Sequence, residues 1–161
     1  MIKVSKFILI FSVAAVLGCQ QKSDSLTDAE KANIVKEIKR LGAELAAAAE
    51  ATDVDGIISH FRETEDAWLG LGGGTGYNLD ELKTAASQTH ERLERQEFMI
   101  DDWRYLVASR ECVVASGKGK VTAFHKDGSE GTSGYGVTLV WTKSADAWKV
   151  GHMHQSFDSR P

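Results

Sequence analysis

The sequence is short of the features that would make it easy to classify. It has two cysteines, Cys19 and Cys112, too few for a disulfide-built scaffold. No run of lysine or arginine forms a basic patch, and the net charge is −4, which argues against nucleic acid as a partner. The apolar stretch from Phe7 to Leu17, interrupted only by Ser12, falls short of the roughly 20 residues a spanning helix needs. The glycine run of Leu69-Gly70-Leu71-Gly72-Gly73-Gly74-Thr75-Gly76 has neither the lysine of a nucleotide-binding P-loop nor dinucleotide-binding spacing. It reads as a loop or wide turn.

What stands at the N-terminus is a targeting pattern. Lys3 and Lys6 precede the apolar stretch, and Gly18-Cys19 follows it, the three parts of a secretory signal. Val16-Leu17-Gly18-Cys19 resembles the bacterial lipoprotein signal, which implies cleavage after residue 18 and lipid on Cys19. Residues 19–26 are polar and aperiodic and are expected to be a flexible tether. The expected location is the cell envelope, with the domain facing the periplasm or the exterior. In a two-membrane bacterium, Gln20 after the lipidated cysteine would resemble outer-membrane sorting rather than inner retention. Cleavage would remove two lysines and leave Cys112 without a disulfide partner, so the domain must rest on its core. Cys112, in an apolar run, is read as a buried filler.

Residues 27–158 are expected to form one α+β domain. Thr27-Asp28-Ala29-Glu30 is a capping box, and Ile34, Ile38, Leu41, Leu45 and Ala48 then form one apolar stripe at helical spacing. Asp53 caps a second helix with Val54, Ile57, Ile58 and Phe61 on its inner side. A third helix opens at Asn78 with Glu81 three residues on, and Leu82, Ala85, Ala86, Thr89 and Leu93 make its inner face. The charged run Glu91 to Glu97 reads as the solvated end of that helix. A short strand is expected at Ala67 to Leu71. From Ile100 the period changes to two, with Trp103, Tyr105 and Val107, then Val113 and Ala115, Val121 and Ala123, Val137, Leu139 and Trp141, and finally Trp148, Val150 and His152. Short turns separate these strands, so the sheet is expected to be a mainly antiparallel meander.

Three helices around a short strand, followed by long antiparallel strands, resemble the nuclear transport factor 2-like superfamily. The closing segment, Val137 to Trp141, a turn, and Trp148-Lys149-Val150-Gly151-His152-Met153-His154-Gln155-Ser156, is similar to the end of SnoaL-like domains. It also resembles the association domain of calcium/calmodulin-dependent kinase II. Asp53 to Phe61 looks like the superfamily's second helix. The resemblance implies a cone: three helices packed on a strongly bent sheet, with a pocket inside. It is poor for activity, because this fold hosts enzymes and non-enzymes alike.

At a spacing of two, His152, His154 and Ser156 share one strand face with Trp148 and Val150. The histidines are then hydrogen-bonded structural groups, or line a ligand pocket beside Trp68, Trp103 or Tyr105, or serve as acid/base or metal-binding groups. His125 and Asp66 are the possible third metal ligands, though no spacing requires them. No cofactor or metal is expected, and no acid aligns with an isomerase pattern. The leading expectation is a lipid-anchored domain that binds a small, largely apolar ligand or a partner. The alternatives are an acid/base isomerase, cyclase or hydrolase using His152 or His154, and a structural homodimer pairing through Thr138, Val140 and Trp141.

Overall fold

The computed structural model describes residues 25–63, 68–71, 75–145 and 147–158, without the side chains of Trp68, Leu71 and Thr75. Cys19, the signal segment, most of the tether and Asp66 lie outside the described residues. The element order is α1 (Asp28–Glu50), α2 (Val54–Ser59), β1 (Trp68–Leu71), β2 (Thr75–Tyr77), α3 (Leu79–His90), β3 (Leu93–Ser109), β4 (Cys112–His125), β5 (Glu130–Ser144) and β6 (Ala147–Asp158). No described helix is long and apolar enough to cross a membrane.

Each helix starts where a local cap dictates. Thr27 Oγ1 accepts from Glu30 N at 3.2 Å while Thr27 N donates to the Glu30 carboxylate at 2.7 Å. Asn78 and Glu81 make the same reciprocal pair at 2.9 Å, and Asp53 accepts from Gly56 N at 3.0 Å. Such a cap stabilises a helix by about 1 kcal/mol. Glu30 also meets Arg110 at 2.5 Å, tying the start of α1 to the β3–β4 turn. That guanidinium, with the Thr27 cap, holds the Glu30 carboxyl down at about 2.

The strands form one curved, unclosed sheet in the order β2-β1-β6-β5-β4-β3. β3 to β6 are an antiparallel meander, and β1 adds to β6 in parallel. Where one short strand was expected there is a hairpin, β1 pairing β2 through Leu69↔Tyr77 and Gly70↔Gly76. The core lies between the helices and the inner sheet face. Ile38, Leu69, Val113, Trp141 and Val150 are its most deeply buried side chains, with Phe61 and Leu82 beside them. A fully buried aliphatic side chain contributes about 1.5–3 kcal/mol, so these few positions hold the layers together.

Four expectations are corrected. The run Glu91 to Glu97 is not helical: α3 stops at His90, and β3 runs from Leu93. Leu93 fits the last turn of a helical stripe and the first inward position of a strand equally well, and strand pairing to His125 decides between them. The Arg95–Glu97 ion pair therefore joins neighbours two apart on one strand face. Further along β3, Asp101 is the extra residue of a bulge between Ile100↔Gly119 and Asp102↔Lys118. Trp141 is fully buried and offers no pairing surface. Cys112 is half-buried at the start of β4.

The fourth correction concerns β6. Val140 pairs with His152 but Trp141 pairs with Val150, so Gly151 is an extra residue. One extra residue inverts side-chain parity. Trp148 and Val150 face inward before the bulge, and Met153 faces inward after it, opposite Leu139. His152, His154 and Ser156 consequently lie on the outer face, not with Trp148 and Val150. A Cβ at position 151 would sit 3.2 Å from Thr142 Oγ1, a crowding that glycine avoids.

Candidate functional site

Between the helices and the sheet is a cavity of about 270 Å³. It exists because the helices present small residues to it. Gly42, Ala46 and Ala49 come from α1 at helical spacing, and Ala85 and Ala86 from α3. A Cβ at Gly42 would meet nothing within 4 Å. Leu45, Ile57 and Leu82 complete the helical wall.

The sheet supplies an aromatic and thioether wall. Phe98, Tyr135 and Phe157 are tilted on one another, with centroids 5.2 and 5.4 Å apart. Met153, Leu139 and Val137 continue that surface, and Trp103 stands at one side. Trp103 has room because Gly117 lies opposite it: a Cβ there would be 3.0 Å from the indole.

Four neutral polar side chains, His90, Gln96, Gln155 and Tyr135, interrupt this apolar lining, and Thr89 spends its hydroxyl on Ala85 O. Gln96 Nε2 donates to Ala49 O at 3.2 Å and lies 3.3 Å from His90 Nε2. An amide nitrogen is only a donor, so His90 Nε2 accepts and the neutral ring carries its proton on Nδ1. That Nδ1 is buried without a hydrogen-bond partner of good geometry. Burial lowers the His90 pKa from its ordinary value, with the Thr52 backbone opposing in part. Burial likewise raises that of Tyr135, which stays a neutral phenol. No carboxylate, lysine or arginine is among the described lining residues.

Of the residues singled out from sequence, Trp103 lines this cavity. Tyr105 stacks on Trp103 with centroids 6.0 Å apart and has Lys39 Nζ 5.3 Å over its ring, but it does not reach the cavity. Burial raises its pKa. Trp68 pairs with His152 in the β1–β6 register, and its side chain lies outside the described residues. His152 is on the outer face opposite Val140. His154 borders a shallow outer depression with Asp102, Arg104, Lys118 and Ser156. Among the described residues no cluster of three histidine, cysteine or carboxylate side chains could hold a metal. His90, Gln96, Gln155 and Tyr135 were not anticipated. One signal was present, since a glycine inside a strand pattern marks a bulge, and Gly151 precedes the misassigned histidines.

Residues 38–159 match the model of the SnoaL-like domain family. No curated protein matches by sequence. Among solved structures, a nuclear transport factor 2-like superfamily protein from Salmonella enterica superimposes with a TM-score of 0.72 at 15% identity, covering 81% of this chain and 94% of that one. A hexachlorocyclohexane dehydrochlorinase from Novosphingobium barchaimii gives 0.68 at 12% identity, covering 81% and 90%. A protein named by inference as a scytalone dehydratase, from Novosphingobium aromaticivorans, gives 0.72 at 10% identity, covering 81% and 88%. At such identities these likenesses speak for the fold, and together with the family match they place the chain: it belongs to the SnoaL-like domain family, with a nuclear transport factor 2-like fold.

Proposed function

We propose that this domain binds a small, largely apolar molecule inside its cavity, held at the cell envelope by lipid on Cys19. The observation that carries the reading is the largely apolar space of about 270 Å³ with no carboxylate, lysine or arginine among its described lining residues. An apolar cavity of about 150 Å³ suffices for benzene, so a one- or two-ring molecule fits here. A thermal-shift screen with small apolar compounds tests it. At least one compound should raise the melting temperature of the parent chain. Gly42→Leu, which fills the open space off α1, should weaken that response while leaving the fold intact. If no compound stabilises the parent, or the variant responds as fully, the reading fails.

A second reading is enzymatic, and His90 favours it. Dehydratases and dehydrochlorinases carry out eliminations, and a neutral histidine in an apolar wall suits proton abstraction. Here, however, Gln96 already occupies the His90 Nε2 lone pair, and no carboxylate of the described lining orients the ring. Binding is therefore the better-supported role. Loss of a turnover signal in His90→Gln with ligand binding retained would reverse that ranking. Pairing with a second copy would use the outer face, where exposed Leu106 lies in one row with Val114 and Val140. Sedimentation velocity at micromolar concentration tests it, a dimer being expected and a monomer counting against it.

A further inference from the structure

We infer that Gln155 makes this cavity selective for uncharged ring molecules carrying a paired hydrogen-bond donor and acceptor, in preference to plain hydrocarbons and to anions. The inference rests on the binding reading above and names the ligand class of the same site.

Gln155 reaches the cavity only because the Gly151 bulge turns Met153, Gln155 and Phe157 inward. In the sheet register it pairs with Val137, which pairs with Gly117, which pairs with Trp103. The amide therefore shares a row with an aliphatic side chain, a glycine and an indole at the far end. Among the described residues its hydrogen bond is from Nε2 to Met153 Sδ, at 3.4 Å. A thioether is a weak acceptor, so this half-buried primary amide has its carbonyl and most of its donor capacity uncommitted to the described protein groups. Such an amide, lining an apolar space and half-open to solvent, keeps hydrogen-bonding capacity that a bound molecule covering it has to match.

The chemistry of that partner follows from the lining. Gln155 offers one acceptor and one donor side by side, so its complement is a donor beside an acceptor: a carboxamide, a lactam or a hydroxy-carbonyl edge. The rest of the molecule must be flat and apolar to lie against Phe98, Tyr135 and Phe157, whose rings already pack at 5.2 and 5.4 Å. Trp103 and Phe157 are both partly exposed, which leaves an aromatic mouth through which a ring could pass. An anion would lose its hydration and meet no lysine or arginine among the described lining residues. A hydrocarbon would cover the amide and offer it no partner.

The test is isothermal titration calorimetry of the full chain with naphthalene, 2-naphthamide and 2-naphthoate, three ligands sharing one ring system. Expected is 2-naphthamide tighter than naphthalene by about tenfold, the worth of one or two neutral hydrogen bonds, with 2-naphthoate the weakest. Gln155→Leu, close in volume, should erase the advantage of the amide while naphthalene binds at least as well. The ranking on the parent chain already tests the idea should the variant fail to fold. Equal affinity for naphthalene and 2-naphthamide, or an advantage that survives in Gln155→Leu, overturns the selectivity and leaves the binding reading standing. Failure of all three to bind overturns both.

Discussion

Trp141 offers the sharpest test of the packing, because two opposing terms can be separated there. The side chain is fully buried in the core, and its indole Nε1 is buried with no hydrogen-bond partner among the described residues. Trp141→Ala removes the whole ring and should cost about 3–5 kcal/mol. In a domain of this size that lowers the melting temperature by roughly 6–20 °C, at about 2–4 °C per kcal/mol. Trp141→Phe is different. It leaves a void on the order of 40 Å³, costing about 1 kcal/mol at roughly 24 cal/mol per Å³. The lost apolar contact adds about 1 kcal/mol more. Against this, the variant no longer buries an unpaired N–H, which offsets about 1–3 kcal/mol. The net change for phenylalanine is therefore expected within about 1 kcal/mol of zero. Urea unfolding followed by far-ultraviolet circular dichroism, extrapolated to water, measures both. If phenylalanine proves as costly as alanine, the indole nitrogen has a partner and the reasoning fails. If alanine costs less than about 1 kcal/mol, Trp141 is not a core residue.

Two further predictions concern the cavity. His90 and His60 both have pKa values lowered by burial from the ordinary 6.5. The unfolded chain therefore takes up these protons first, so their contribution to stability is complete above pH 6.5 and lost as the pH falls below it. Urea midpoints at about pH 7.5 and pH 5.5 should show this loss, and His90→Gln should reduce it; an undiminished loss would remove His90 from the account. Gly117→Ala would place a Cβ 2.8 Å from Ile100 Cγ2 and 3.0 Å from the Trp103 ring. The indole must move, so tryptophan emission should shift and apolar probes should bind several-fold more weakly, as expected when a packed wall cannot absorb one extra carbon. Unchanged emission and affinity would show that Trp103 is not held by that contact.

Much of this architecture was legible in the residues, for a local reason. A capping box acts over three positions, so Thr27 with Glu30 and Asn78 with Glu81 announce their helices without help from the rest of the chain. Asp53 does the same for α2. The period of two from Trp103 onward marks strands, and the turns between them dictate a meander. Element order then carried the family resemblance. Leu93 is an instructive failure, because its position satisfies both periods and only pairing to β4 chooses.

The candidate site was legible in one residue, Trp103, and the cause of the misses is geometric. Alternation assigns a face only while the register is unbroken, and β6 breaks at Gly151, as β3 breaks at Asp101. His152 and His154 carry the more conspicuous chemistry, yet one inserted residue turns them outward and brings Met153, Gln155 and Phe157 in. The space these residues face is likewise a tertiary product. It arises where Gly42, Ala46 and Ala49 of one helix and Ala85 and Ala86 of another fall short of the same stretch of sheet. By itself, then, the sequence determined the elements and their order, because caps and periods are read within a few residues. Which face of the last strand looks into the cavity was decided only when that strand paired with its neighbour, because a bulge is a relation between two strands.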